Sequence, residues 1–530
     1  MVEGVALALA AVVAVGAAAL LTKRTSLPAP VVLVVVGLVY AELPGPNVEL
    51  DPDVILLLVL PPLLYSAALS ASLIEIRSHL RVVVLLSVGL VVVTALTVAG
   101  LLTLVVAGLP FAAACAFGAA VAPNDPVAAL AIGRRVGLPR RLVSIVEGES
   151  LINDATALTA YQVAIVAVAG SFSVGDVASR FATAVVGGVA VGLGVGWLLS
   201  RLRRVLDEPV VENLLSLATP FLAFLPAEEI GASGVLAVVV CGLWLGHQAP
   251  VLMSGAARLQ GRAVWRLVDL VLEGLVFLLI GQQLPVVLEG LRPYSTSTLV
   301  LASAVSLGAV LLVRPVWLIL TIGLPARLSR PRDETGPRRR ELAALSWAGM
   351  RGVVSLAAAF ALPFTSDGRP FPERDLLIFL TFVVVLGTLL GQGLTFAPLL
   401  TRLGVRDDPG QAQASLGAAR HAAVEAGLRR LDAVADDVPA EVLDRLRQQA
   451  LDRQDVGRGH DIPQDGPDEY GYGPGARLPA YTRLRSEMIT AERAELLARR
   501  RDGRLDDADL RRLQRELDHE ERALTVLTDD

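Results

Sequence analysis

Several side chains that suit ion chemistry lie within one otherwise apolar stretch, EGESLINDATAL, and these are Glu147, Glu149, Asn153 and Asp154. An acid at the centre of a membrane helix costs about 2.5 to 3.5 kcal/mol, so these groups must face protein, water or an ion rather than lipid. At helical spacing Glu147, Ser150 and Asp154 share one face. Glu149 and Asn153 lie on the adjoining face. Two neighbouring polar faces predict a helix that is buried in a bundle.

A second polar interruption precedes this helix, in FGAAVAPNDPVAALAIG. Asn124 and Asp125 stand between Pro123 and Pro126. Proline removes a backbone donor and disfavours helix in the residue before it, so the span is expected to break near its middle. Free carbonyls and amides at that depth are tolerated only where they line a cavity or the protein interior.

A third interruption occurs in SWAGMRGVVSLAAAFALP, where Gly349, Arg351 and Gly352 occupy the middle of a late span. The two interrupted spans hold equivalent ranks in the first and last groups of six, with opposite orientations. This arrangement predicts inverted repeats with two crossed broken helices. Asp125, the acids around Asp154, and Arg351 should therefore converge at one depth.

Charge balance suggests how the converging groups pair. One buried guanidinium can neutralise one carboxylate, and Glu149 with Arg351 is the expected ion pair. Asp154 is then left without a cationic neighbour, so a proton and a hard monovalent cation compete for it. If the site cannot switch from one side of the membrane to the other while it is empty and charged, only its loaded forms switch. Each cation carried one way is then exchanged for a proton carried the other way.

Other buried charges have less direct interpretations. Glu147 lies nearer the cytoplasm on the face of Asp154, and we expect it either to line an inward funnel or to make a structural hydrogen bond. Glu273 and Arg314 would each be costly alone in their spans, which predicts a structural ion pair between them.

The elements that position these groups are membrane helices, because 54% of the 530 residues are hydrophobic, only 19% are charged, and the mean hydropathy is +0.59. The pattern predicts an all-α polytopic membrane protein of about 13 transmembrane helices. The apolar segments lie near residues 4–22, 27–44, 53–69, 81–108, 110–132, 141–169, 178–200, 210–226, 231–247, 264–288, 296–323, 342–363 and 375–401.

Basic residues concentrate in alternate loops, for example at Lys23 and Arg24 and between Arg327 and Arg340. The intervening loops carry acids such as Glu49 and Asp51. The positive-inside rule then places the N-terminus outside and the C-terminus in the cytoplasm, as an odd number of spans requires.

Charge becomes dense after about residue 402, which predicts a transmembrane domain at 1–402 and a helical cytosolic tail at 403–530. Helical patterns near 411–452, 480–501 and 504–527 flank a Gly/Pro-rich linker. These amphipathic helices should pack on one another, on a second subunit or on the membrane domain. Regulation by the tail is one interpretation, and simple solvated packing is the other.

Composition also excludes several classes of site and partner. Cys115 and Cys241 lie in apolar runs and the five histidines have no metal-like spacing, so neither a disulfide framework nor a cofactor or metal cluster is expected. Without a basic stripe or aromatic platforms, nucleic acid is not an expected partner. The expected partners are monovalent cations, protons and the lipid bilayer.

At these residues the chain resembles the monovalent cation:proton antiporter-1 family, the NhaP-like prokaryotic relatives of the animal sodium/proton exchangers. The motifs are NDPVAAL, EGESLINDATAL, LEGLVFLLIGQQL and WAGMRGVVSLAAAFALP. The resemblance implies an NhaA-like antiporter fold, a homodimer in the cell membrane, and exchange of Na+ for H+ that serves pH homeostasis and sodium tolerance. It also implies that no cofactor is needed.

The resemblance further implies roles for individual residues. Asp154 would bind cation and proton alternately, with the Ser150 hydroxyl and the Asn124 carbonyl as further ligands. Asp125 belongs to the same set, although a structural hydrogen bond to Asn153 is its favoured role. Glu149 and Arg351 would form a structural ion pair.

Details of the motifs carry further implications. Asn153 before Asp154 is similar to the electroneutral branch of the family, which exchanges one proton for one cation. The family usually has Thr at the position of Asn124. Some relatives carry an acid at the position of Ser66, so the resemblance leaves open whether another ligand replaces it here.

Alternative functions follow from the same residues. Potassium or lithium could replace sodium, because the choice depends on sub-ångström ligand spacing. A solute symporter would need a larger polar cavity, and a channel would need a site that an ion leaves rapidly. A remote alternative is an intramembrane aspartyl protease in which Asp125 and Asp154 share a proton.

Overall fold

The computed structural model describes residues 2–22, 29–42, 55–170, 174–206, 208–324, 339–407, 409–434, 439–455 and 477–529. Two compact units are present. The membrane unit comprises Met1–Leu206, Leu214–Leu252 and Ala263–Arg406, and the tail unit comprises Asp207–Asn213, Met253–Arg262 and Asp407–Asp530. The predicted boundary at 402/403 thus lies close to the end of the last range of the membrane unit.

The described residues up to 406 form helices, one short hairpin and the loops that join them. Its helices, numbered in chain order, are α1 (Val2–Leu21), α2 (Ala29–Ala41), α3 (Ile55–Ser70), α4 (Leu73–Ser78), α5 (Leu80–Val105), α6 (Phe111–Val121), α7 (Pro126–Val136), α8 (Arg140–Ala169), α9 (Val174–Arg203), α10 (Pro209–Glu229), α11 (Gly234–Leu252), α12 (Gly255–Gly290), α13 (Thr296–Gly323), α14 (Arg339–Trp347), α15 (Val353–Phe360) and α16 (Arg374–Leu403). The antiparallel strands β1 (Thr365–Ser366) and β2 (Arg369–Pro370) form the hairpin.

Seven described helices are long and apolar enough to cross a bilayer. They are Leu80–Val105, Arg140–Val168, Ala178–Arg203, Pro209–Glu229, Gly234–Leu252, Thr296–Gly323 and Arg374–Leu403. Several other predicted spans coincide with shorter apolar helices or with broken ones. The count of thirteen spans therefore stays a prediction, whereas the length and composition of these seven helices fit a multi-pass membrane protein. The loops with Lys23, Arg24, Glu49 and Asp51, and most of the stretch from 327 to 340, lie outside the described residues.

Both predicted helix breaks are confirmed. α6 ends at Val121 and α7 begins at Pro126, where the Asp125 carboxylate caps the new helix by accepting from the Val127 amide at 2.8 Å. α14 ends at Trp347 and α15 begins at Val353. Proline at the first position of α7 needs no donor there, so the chain restarts a helix at the point where it could not continue one.

The two breaks lie against each other. The Asp125 amide donates to the Met350 carbonyl at 2.8 Å, which joins the irregular backbone of one break to that of the other. Gly352 permits this approach, since a β-carbon there would collide with the Asp125 carboxylate. α15 also packs on α6, and α16 packs on α7 and α15. Backbone groups freed by the breaks thus bond within the protein rather than facing lipid.

Glycines allow close packing elsewhere in this unit. The Gly-rich face of α9 lies on α11, where β-carbons at Gly188 and Gly192 would meet the carbonyls of Ser233 and Ala237. Small residues let helix backbones approach closely where no hydrophobic force draws helices together. Gly188 and Gly192 of this span therefore serve close helix packing.

Residues after 406 form four described helices, which are α17 (Pro409–Ala433), α18 (Ala440–Asp455), α19 (Arg477–Arg501) and α20 (Asp507–Asp529). The pattern predicted over 411–452 is two helices rather than one. Leu431, Leu446, Met488 and Ile489 are fully or almost fully buried in a core shared by these helices. Most of the predicted linker, at 456–476, lies outside the described residues.

Candidate ion-binding site

A cavity of about 420 Å³ lies within the membrane unit. Six of the predicted site residues line it, and these are Asn124, Asp125, Glu147, Ser150, Asp154 and Glu273. The predicted supporting residues Glu149, Asn153, Arg314 and Arg351 are not among its lining residues. The broken helix α7, the polar face of α8, and residues of α3, α12 and α15 together form the walls.

Asp154 has the most distinctive environment in this cavity. Asp154 is only 8% exposed, and its Oδ1 atom has no hydrogen-bond partner among the described residues. One turn earlier on α8, the Ser150 hydroxyl donates to the Asn124 carbonyl at 3.2 Å. The helix break frees that carbonyl from helical hydrogen bonding. A carboxylate, a hydroxyl and a carbonyl are therefore close neighbours, and all are oxygen ligands that suit a hard cation.

The expected ion pair between Glu149 and Arg351 is not formed. Glu149 instead pairs with Arg314, through Oε1 with Nη1 and through Oε2 with Nη2 at 2.9 Å. Both side chains are about 2% exposed, and Arg314 Nε also donates to the Leu345 carbonyl at 2.8 Å. A two-point contact between the planar guanidinium of α13 and the carboxylate satisfies both charges at once. Arg351 therefore has a different role.

Arg351 binds the end of the broken helix α6. Its Nε donates to the Val121 carbonyl at 2.8 Å, and its Nη1 donates to the Gly349 carbonyl at 2.6 Å. The last carbonyls of a helix lack intrahelical partners and carry partial negative charge, which a guanidinium stabilises. The same Nη1 donates to Asn124 Oδ1.

The Asn124 side chain connects the two residues that were expected to pair directly. Its Nδ2 donates to Glu149 Oε1, and its Oδ1 accepts from Arg351 Nη1. An amide can donate at one end and accept at the other, whereas a threonine would offer a single hydroxyl. Asn124 thus fills a bridging position between an anion and a cation.

The expected pair of Glu273 with Arg314 is also wrong, because Arg314 is bound to Glu149. Glu273 lines the cavity on α12, one turn after Asp269, which lines it too. The Ser66 hydroxyl donates to Asp269 Oδ2 at 2.7 Å. Sequence reasoning missed Asp269, although two acids four residues apart within an apolar helix place both on one face.

Two further expectations concern Asn153 and Glu147. The expected hydrogen bond between Asn153 and Asp125 is not found among the described residues. Asp125 Oδ1 accepts from the Val127 amide instead. Asn153 Oδ1 is buried and has no hydrogen-bond partner among the described residues. The Asp125 side chain is occupied because it caps α7.

Glu147 forms an ion pair with Arg134 at 2.9 Å, with side chains 26% and 67% exposed respectively. Both line the cavity, so this wall reaches solvent.

Comparison with known proteins gives a consistent result. Residues 8–402 match the family model described as sodium/hydrogen exchanger, transmembrane. An uncharacterised Na+/H+ exchanger of Mycobacterium tuberculosis is 35% identical over 98% of this chain and 96% of its own length. A sodium, potassium, lithium and rubidium/H+ antiporter of Bacillus pumilus is 32% identical over 69% of this chain and 56% of its own. The structure of the sodium proton antiporter MjNhaP1 of Methanocaldococcus jannaschii shares the fold, with a TM-score of 0.63 at 20% identity over 75% of this chain and 98% of that one.

Proposed function

Since the chain belongs to the sodium/hydrogen exchanger family, we propose that it exchanges Na+ for H+ across the cell membrane, one for one, at Asp154. Members of this family are transporters rather than enzymes, and the chain is a multi-pass membrane protein of that kind. In a cell, such exchange would serve pH homeostasis and sodium tolerance.

The observation that carries this proposal is the environment of Asp154. Its Oδ1 is buried in the cavity wall and has no partner among the described residues, while the Ser150 hydroxyl and the Asn124 carbonyl lie at the neighbouring helix break. A buried carboxylate without a counter-charge is costly, and either a proton or a cation removes that cost. Competition between the two at an alternately exposed site produces exchange.

Charges on and beside α8 support the proposed one-for-one stoichiometry. Asn153, which precedes Asp154, is neutral, and Glu149 is already neutralised by Arg314. Asp125 is fixed as the cap of α7. A single exchanging carboxylate that swaps one proton for one cation moves no net charge in a complete cycle.

Potassium is the second candidate cation. The relative from Bacillus pumilus is named for sodium, potassium, lithium and rubidium, and it matches 69% of this chain. Oxygen ligands of the kinds found here bind any of these ions, and selectivity depends on cavity size and ligand spacing. Assays must therefore compare the ions directly.

We extend the proposal to topology and assembly. The distribution of basic loops supports an external N-terminus and a cytoplasmic C-terminus, with residues 1–402 in the membrane domain and 403–530 in the cytosolic tail. Resemblance to the family supports a homodimer. Cysteine labelling from each side of the membrane and crosslinking in the bilayer test these two statements separately.

The transport proposal is tested in proteoliposomes by dissipation of a pH gradient after addition of Na+, K+ or Li+, with the voltage clamped or free. Asp154→Asn is compared with the parent and with Glu289→Gln, a matched carboxyl-to-amide change at an exposed position of α12. We expect cation-dependent, voltage-insensitive proton movement in the parent and the control, and none in Asp154→Asn. Full activity in Asp154→Asn would overturn the site, and voltage-sensitive exchange would overturn the stoichiometry.

A further inference from the structure

Asp269 on α12 is another carboxylate of the transport cavity, and it has no ion pair among the residues that the structure describes. The hydroxyl of Ser66 on α3 donates to its Oδ2 at 2.7 Å, whereas its Oδ1 is buried and has no hydrogen-bond partner among the described residues. Arg134 is the one lysine or arginine among the described lining residues, and it is paired with Glu147 at 2.9 Å. No positive side chain that lines the cavity therefore neutralises Asp269.

Another polar group of the cavity points independently to a ligand. Ser355 on α15 lines the same cavity as Asp154 and Asp269, is only 1% exposed, and has a hydroxyl without a partner among the described residues. A buried hydroxyl with unmet hydrogen bonding is costly unless something else binds it. Unpartnered oxygens on α8, α12 and α15 thus face one space of about 420 Å³.

We propose that Asp269, oriented by Ser66, is a second cation-binding carboxylate of this cavity, at which a monovalent cation is held before it reaches Asp154. This proposal rests on the proposed function. Ser66 uses its one hydrogen to fix Oδ2, so its oxygen lone pairs and Asp269 Oδ1 remain free to bind a cation.

The placement has a physical advantage for a transported ion. A cation that enters a low-dielectric cavity loses hydration, and a carboxylate with an adjoining hydroxyl replaces part of the lost water. Negative charge on the cavity wall also raises the local cation concentration and speeds association. Because Asp269 hands the ion on and keeps its own charge, the one-for-one exchange at Asp154 is unchanged.

The test is the sodium dependence of transport by the full chain in proteoliposomes at fixed pH. Asp269→Asn is compared with the parent and with Glu289→Gln, the exposed acid of the same helix. We expect the KM for Na+ to rise about tenfold in Asp269→Asn while the maximal rate is largely kept, because loss of one ligand weakens binding more than it blocks exchange. The double variant Ser66→Glu with Asp269→Asn should restore a low KM, since it returns a carboxylate to the same place.

Each outcome decides between a ligand and a structural role. An unchanged KM in Asp269→Asn, or a lost maximal rate at unchanged KM in folded protein, would overturn the proposal. Should Asp269→Asn fail to fold, Ser66→Ala provides the decision, because it removes the orienting hydroxyl and should raise the KM with the carboxylate intact. Activity in Asp154→Asn would sink the proposed function instead, so the two failures are distinguishable.

Discussion

Buried carboxylates in the tail unit and in the transport cavity are treated in opposite ways. Glu492 in the tail unit is 2% exposed and forms an ion pair with Arg485 at 2.7 Å, and Asp518 is paired with both Arg258 and Arg493. Asp154 in the cavity has an oxygen without any partner among the described residues. An acid that is permanently neutralised by arginine can hold a fold together but cannot take up and release a cation. The difference separates structural carboxylates from exchanging ones.

The membrane environment is not the cause of this difference. Glu149 lies on the same helix as Asp154, five residues earlier, and is fully paired with Arg314. Glu149 faces the helix α13 and lies outside the set of cavity-lining residues, whereas Asp154 is within it. For these two acids of one helix, the difference is therefore that Asp154 lines the cavity whereas Glu149 contacts Arg314.

Breaking the pair of Glu149 and Arg314 gives the largest expected effect on stability. Arg314→Gln should destabilise the protein by about 3 to 5 kcal/mol, because it leaves the Glu149 charge buried without its cation. The double variant Glu149→Gln with Arg314→Gln should recover part of that loss. Thermal unfolding in one fixed detergent measures both, and a double variant less stable than Arg314→Gln would contradict this account of the pair.

Matched carboxyl-to-amide changes compare the two regions directly. Glu492→Gln should lower stability by about 1.5 to 3 kcal/mol, since a charge-assisted bond to the buried Arg485 is lost. Asp154→Asn should leave stability unchanged or raise it, because an unpaired buried charge is removed. Unfolding curves of the parent and the two variants measure both stability changes. Equal destabilisation by both changes would remove the distinction between structural and exchanging acids.

The bridge made by Asn124 predicts a smaller effect. Asn124→Thr should destabilise the protein by about 1 to 3 kcal/mol, because one hydroxyl cannot both donate to Glu149 and accept from Arg351 across the same distance. Thermal unfolding is the measurement, with Thr388→Ser as a control that keeps a hydroxyl at the nearby Arg351 amide. A stability equal to that of the parent would show that the bridge is dispensable.

Glu520 in the tail unit should make the stability of that unit depend on pH, and this effect should be smaller still. Burial acts to raise the pKa of Glu520, but hydrogen bonding and charge from Arg485, with Arg453 nearby, lower the pKa below its ordinary value of 4.5. A carboxyl with a lowered folded-state pKa stabilises the fold above its unfolded pKa, and this stabilisation is lost as the pH falls through the folded value.

Hydrogen exchange of residues 477–529 in the full chain, corrected for the intrinsic rate, should therefore speed up as the pH falls below 4.5. Glu520→Gln should show a weaker dependence on pH over that range. Protection that rises on acidification in the parent would contradict the sign of this effect.

Local chemistry explains which features could be predicted from sequence. Pro123 and Pro126 mark the first helix break because proline acts on its immediate neighbours, and Asp154 stands out because an acid is rare in an apolar helix. The partner of Glu149 was beyond such reasoning. Arg314 is 165 residues away, and only the folded chain brings its long side chain from α13 to Glu149.

Asp269 was missed for a related reason. Its spacing from Glu273 was visible in the sequence, but the Ser66 hydroxyl that orients it comes from a helix 203 residues earlier. Only the folded chain shows that these two residues are hydrogen-bonded.

The contact between the two helix breaks has a consequence for any movement of the transporter. The Asp125 amide is bonded to the Met350 carbonyl, and Gly352 leaves no room for even a methyl group against the Asp125 carboxylate. A stroke that slid one broken helix along the other would rupture that bond and force these atoms together. We therefore expect the two breaks to keep their positions relative to each other when the transporter changes state.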